Sequence, residues 1–153
     1  MHDFLSMLDP LKCEALAIGL VNEDFQKGLN IRIVSTGYLN DDLSMVVAYN
    51  CCDVFVISSV AENYPNVLLE AMACGTPIVS VDVGDVKDVT SGVNGCYIST
   101  YDANDIAAHI SQALTFKGKT NGPQCIVEKG LSNDIVVKRI YNIYQKVINM
   151  PKR

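Results

Sequence analysis

Two hydrophobic periods alternate along the chain. Short apolar runs at residues 15–21, 31–35, 54–58, 77–83 and 96–99 predict strands, rich as they are in β-branched and aromatic side chains. Between them lie stretches with helical spacing. Asp41 and Asp42 open a helix running to about residue 50, with Leu43, Val46, Val47 and Tyr49 as its apolar contacts. Asp102 caps a helix over 103–116 that carries Ile106, Ala107, Ile110 and Leu114 on one stripe. Ser132 caps the last helix, to about residue 150, with Ile140, Ile143, Tyr144 and Val147 facing inward. Residues 3–14 read as a short helix interrupted near Pro10, and 117–123 as a loop. The alternation predicts an α/β fold with an open, mainly parallel sheet flanked by helices. Residues 1–153 read as one domain without internal repeats, ending in the 132–150 helix.

The segment 62–77 departs from this ordinary pattern. Glu62 falls in a loop after the third strand, and Glu70 lies eight residues on, on the following helix. That helix is otherwise apolar (Val67, Leu68, Leu69, Ala71, Met72, Ala73, Cys74), and an unpaired carboxylate is costly to bury. Glu70 is therefore expected to serve a partner or a ligand. Pro65 suits the first helical position and Gly75 the position just past the end. The N–H groups of Asn66 and Val67 then stand free at the positive end of the helix dipole, a site for an anion. Ligands of open parallel sheets bind beyond the carboxyl ends of the strands, which here gathers the loops 36–39, 58–64 and 83–88. The combination suits a charged ligand rich in hydroxyl groups.

This ordered string resembles the donor-binding half of the family 4, or group 1, retaining glycosyltransferases of GT-B architecture. Their signature is a Glu, seven residues, and a second Glu on a helix, usually followed by Ala-Met-Ala-x-Gly-x-Pro-Val-Val. Glu62, Glu70 and the run 71–79 match it. The strand at 53–59 precedes it, and Asp82, Val83, Gly84, then Gly92, Val93, Asn94 and Gly95 follow in the family's order. The likeness is specific over 31–116 and looser over 132–149. It implies a Rossmann-like domain, one half of a GT-B fold, truncated at its N-terminus. It further implies transfer of a sugar, with retention, from a nucleotide diphosphate sugar to a glycan, lipid or small acceptor. By the resemblance, Glu62 is the catalytic residue, acting on the transferred sugar through position and charge, and Glu70 binds the ribose hydroxyls. Asn63, Tyr64, Asn66 and Val67 are expected at the sugar and diphosphate, and Tyr38 and Leu39 at the base.

Some family features have no counterpart. The acceptor-binding domain is absent, as are the opening strand and loop that supply an Arg and a Lys for the diphosphate. Asp85 stands where a second glycine is usual, and Asp88 where a glutamate is common. The chain alone is thus expected to be incomplete and inactive, requiring the missing acceptor domain or a partner chain. One rival reading is a non-catalytic nucleotide-sugar-binding or regulatory subunit with a separate acceptor-domain partner. Another is a degenerate domain that binds no nucleotide. A glycosidase pair fits less well, since its two carboxylates must flank one bond. No G-x-G-x-x-G follows the first strand, which weighs against a dinucleotide site.

Composition narrows the remaining choices. A net charge of −5 argues against nucleic acid and anionic membranes as main partners. No apolar run approaches the roughly 20 residues of a transmembrane segment, and no signal-like leader is evident, so a cytoplasmic protein is expected. The six cysteines form no C-x-x-C pair, and His2 and His109 lie far from most of them. Structural, reduced cysteine is the expectation. No cofactor is expected, the nucleotide sugar being a substrate, and no metal requirement is indicated.

Overall fold

The computed structural model describes residues 3–150; residues 1–2 and 151–153, with His2 and the outermost ends of the expected domain, lie outside the described residues. A 3-10 turn at Asp3–Met7 leads into β1 (Glu14–Ala17), α1 (Glu23–Gln26), β2 (Arg32–Ser35), α2 (Asp42–Cys51) and β3 (Phe55–Ile57). There follow α3 (Asn66–Ala73), β4 (Ile78–Val81), α4 (Val86–Thr90), β5 (Cys96–Ser99), α5 (Ala103–Ala113), α6 (Gly122–Glu128) and α7 (Asn133–Ile148). Every strand pair is parallel, as the alternation of helix and strand requires. The strands hydrogen-bond as two groups, β1–β2 and β3–β4–β5, rather than as one sheet.

The core lies around β4, whose four residues are all buried, as expected of a central parallel strand covered on both faces. Leu68 and Met72 of α3, Val86 of α4 and Ile106 and Ile110 of α5 pack with it. Two expected caps form: Asp41 accepts from the Ser44 N–H at 2.8 Å, and Asp102 from those of Asn104 and Asp105, whereas Ser132 holds the N-cap position of α7 without a side-chain bond.

Several expectations are corrected. On α2, Leu43, Val46 and Val47 share one face (i, i+3, i+4) and are exposed; Ala48 and Tyr49, on the opposite face, are buried. On α7, Ile140, Ile143, Tyr144 and Val147 are exposed rather than inward, because only the helix's first turns reach the body. Periodicity defines an apolar stripe but not what covers it. Leu114 is partly exposed beyond the end of α5. The segment 117–123 is a loop only to residue 121, since Gly122 and Pro123 start α6; proline is tolerated in a first turn.

Candidate functional site

Helix α3 is built as its sequence directs, with one shift. Pro65 is the N-cap, in an extended conformation, and the helix begins at Asn66. Its other end closes on Gly75 at φ +65°: Gly75 N–H donates to Met72 O at 3.0 Å and Thr76 N–H to Ala71 O at 3.1 Å. This is the double bond of a Schellman stop, which needs a residue without a Cβ at that point. Thr76 Oγ1 then donates to Tyr49 O at 2.8 Å, tying the end of α2 to the α3–β4 connection.

No side chain caps the amino end of α3. The Leu68 N–H bonds Pro65 O at 3.1 Å, while among the described residues those of Asn66 and Val67 have no acceptor. Two oriented N–H groups at a dipole's positive end form an anion cradle.

Glu70 corrects the expectation of a buried carboxylate. Leu68, Ala71 and Met72 form the buried stripe, and Glu70 is exposed on the other side of the helix. Its Oε2 accepts from the Tyr49 hydroxyl at 2.8 Å. Tyr49 is itself 3% exposed; burial first, and then the bond to Glu70, push its phenol well above the ordinary value of 10.0. The phenol therefore stays a proton donor and holds one oxygen of Glu70, leaving the other available.

Glu62 is half-buried in the β3–α3 loop, whose backbone meets the turn after β4. Asp85 N–H donates to Asn63 O at 3.2 Å, and Gly84 sits at φ +53°. A Cβ at residue 84 would collide with the carbonyl oxygens of Glu62 and Asn63. Only glycine allows this approach, so the loops 58–64 and 83–88 converge as expected. Tyr101 Oη adds a long contact to Val60 O at 3.4 Å. Asn63, Tyr64, Asn66 and Val67 are exposed along the same rim. Tyr38 and Leu39 follow β2, in the other sheet, and neither hydrogen-bonds nor stacks with the glutamate-bearing segment.

Basic groups are engaged elsewhere. Lys87, beside the turn, pairs with Asp82; Lys119 bonds Asn50, and Lys129 bonds Asp88 O. Sequence reasoning missed Tyr49 as a site residue, treating it as a core contact. The available signal was its hydroxyl, since a buried tyrosine O–H seeks an acceptor.

Comparisons with known proteins bear on the family and the fold. The profile of the family described as Glycosyl transferases group 1 matches residues 11–115. An uncharacterised glycosyltransferase of Methanocaldococcus jannaschii is 32% identical over 135 residues, covering 84% of this chain and 34% of its own length. The N,N'-diacetylbacillosaminyl-diphospho-undecaprenol alpha-1,3-N-acetylgalactosaminyltransferase of Campylobacter jejuni is 32% identical over 115 residues, covering 72% of this chain and 31% of its own. A D-inositol 3-phosphate glycosyltransferase of Mycolicibacterium smegmatis is 37% identical over 71 residues, 46% of this chain and 16% of its own. Among solved structures, sucrose-phosphate synthase from Thermosynechococcus elongatus superposes with TM-score 0.67 at 22% identity, over 82% of this chain and 32% of that one. That likeness establishes the fold, an α/β arrangement matching part of a GT-B structure. The chain spans about a third of the length of the first two relatives, and it belongs to the group 1 glycosyltransferases.

Proposed function

We propose that this chain is the donor-sugar-binding half of a retaining glycosyltransferase, taking a nucleotide diphosphate sugar. The observation that carries the reading is the uncapped start of α3, with the Glu62 loop and the Gly84 turn closed against each other beside it. In this reading the Asn66 and Val67 N–H groups receive the diphosphate, Glu70 bonds the ribose hydroxyls, and Glu62 positions the sugar. The anomeric carbon–oxygen bond breaks, the diphosphate leaves with its electron pair, and the acceptor oxygen bonds on the face it vacated while its proton passes to the departing phosphate oxygen. Glu62 contributes charge and position rather than a covalent intermediate. The relatives named as acting on an undecaprenyl diphosphate glycan and on inositol phosphate support a hydroxylated acceptor without choosing one.

With Lys87 committed to Asp82 and Asp85 next to Gly84, diphosphate charge is poorly countered here. Weak binding and no independent turnover follow, and a partner that supplies cations would raise both. The test is amide chemical-shift mapping with nucleoside diphosphate against nucleoside. Movement of the Asn66 and Val67 signals with the diphosphate alone supports the reading; identical responses to both ligands sink it.

The alternative is a regulatory or binding subunit that meets a separate acceptor-domain chain. The apolar stripe of α7, exposed at Ile140, Ile143, Tyr144 and Val147, favours it. Turnover by a purified two-chain complex, absent from either chain alone, would leave the donor role and reject a purely regulatory one.

A further inference from the structure

Helix α2 runs out on two consecutive cysteines, Cys51 and Cys52, and no other cysteines of the chain are adjacent. Cys51 is the last helical residue and is exposed. Cys52 is the C-cap, half-buried and extended at φ −90° and ψ 141°. The Cys51 thiol donates to Ala48 O at 3.2 Å, and a thiol is a weak donor, so this bond yields readily. The two sulfurs also meet each other. Burial first, and then the neighbouring Cys51 sulfur, push the Cys52 thiol up to about 11. Cys52 therefore keeps its proton at neutral pH. The remaining cysteines have other surroundings: Cys125 is buried and donates to Gly92 O at 3.6 Å, and Cys74 sits with Asn50 and Lys119.

Three kinds of chemistry compete for such a pair. A disulfide is strained here, because consecutive Cα atoms lie about 3.8 Å apart and disulfides usually span about 4.4–6.8 Å. A divalent cation such as zinc requires three or four ligands and deprotonated thiols. Among the described residues no three His, Cys, Asp or Glu side chains gather to hold a metal ion, and Cys52 resists deprotonation. A trivalent arsenic centre makes neither demand, since it bonds two sulfurs without joining them. We propose that Cys51 and Cys52 form a dithiol site for trivalent arsenic, taken as arsenous acid or a hydrated organic arsenoxide. The exposed Cys51 sulfur bonds arsenic first, and its proton leaves with one arsenic hydroxyl as water. Cys52 then displaces a second hydroxyl in the same way. Two arsenic–sulfur bonds replace two arsenic–oxygen bonds, arsenic stays trivalent, and no electrons are exchanged. The second bond forms within one molecule, and such linkage raises overall affinity by about 10²–10⁴-fold. The site stands two residues past Tyr49 and does not depend on the donor-half reading.

The test treats the full chain, reduced and then freed of reductant, with equimolar phenylarsine oxide and reads intact mass. One phenylarsenic group should replace two thiol hydrogens, and peptide mapping should place it on Cys51 and Cys52. The adduct should survive excess mercaptoethanol, a monothiol, and come off with dithiothreitol, a dithiol. Cys51→Ser and Cys52→Ser should each weaken capture by at least about a hundredfold and leave any residual adduct open to the monothiol. Cys13→Ser, at another half-buried thiol, should bind as the parent does. Because the two sulfurs already meet in the native state, capture should not lower the urea midpoint. An adduct on the parent that mercaptoethanol strips, or one that Cys51→Ser retains, would overturn the proposal. So would a lowered midpoint, by showing that only the unfolded chain accommodates the bridge. Should Cys52→Ser fail to fold, Cys51→Ser, at an exposed position, decides the matter alone. No nucleotide enters the experiment, so its failure leaves the donor reading standing.

Discussion

At the scale of single residues, the Tyr49–Glu70 bond ties α2 to α3. The phenol is buried and the carboxylate exposed, so the bond orients Glu70 from the core outward. Tyr49→Phe should cost about 0.5–1.5 kcal/mol in urea denaturation, the net value of one hydrogen bond. It should also weaken nucleotide binding without abolishing it, and the stability cost should vanish in a Glu70→Ala background, which has no acceptor. Gly84→Ala should cost more, about 1–3 kcal/mol, because the left-handed backbone and the Glu62 and Asn63 carbonyls both oppose a Cβ. Equal stability of this variant and the parent would show that the two loops do not press together. Acid provides a third check. Bonds from Ser44 to Asp41 and from Thr100 to Asp105 hold both carboxyls below their ordinary 3.8. The unfolded chain then binds more protons as pH falls past that value. Their contribution is complete above it and is lost as pH drops through the lowered folded values, so denaturation midpoints should decline as pH falls below about 4.

At the scale of elements, the sequence was most readable where local chemistry is decisive. Strand β5 falls on its expected residues, and Asp41, Asp102 and Gly75 close helices in the expected way. The other strands are shorter than their apolar runs, because a run records burial while pairing ends where the partner does. Short α1, α4 and α6 escaped notice: four to seven residues hold too few turns to establish a period, and Gly122 and Pro123 look like a loop. The largest misreading concerned what lies over a face. Helices α2 and α7 both have apolar stripes that point away from the body. Ile143→Lys on α7 should change stability by less than about 0.5 kcal/mol and reduce self-association. Met72→Ala, at a side chain with no exposure, should cost about 2–5 kcal/mol. A large loss from Ile143→Lys in denaturant titration would mean that α7 is packed in solution.

For the whole molecule, the spacing of Glu62 and Glu70 and the run after them were enough to reach the family, since those residues act locally on one loop and one helix. The break between β1–β2 and β3–β5 was not legible, because strand neighbours are set by contacts far apart in sequence. The same break separates Tyr38 and Leu39 from the carboxylates. Among the described residues no helix is long and apolar enough to cross a membrane. The central claim is that the Glu70 face of α3 binds the nucleotide part of a donor. Calorimetric titration with UDP, GDP and ADP, alone and as their sugars, addresses it most directly, with Glu70→Ala as the companion variant. The account predicts weak binding of one nucleotide, in the high-micromolar to millimolar range, and its loss in Glu70→Ala. Equal binding by the parent and the variant, or none by the parent at millimolar ligand, would contradict it.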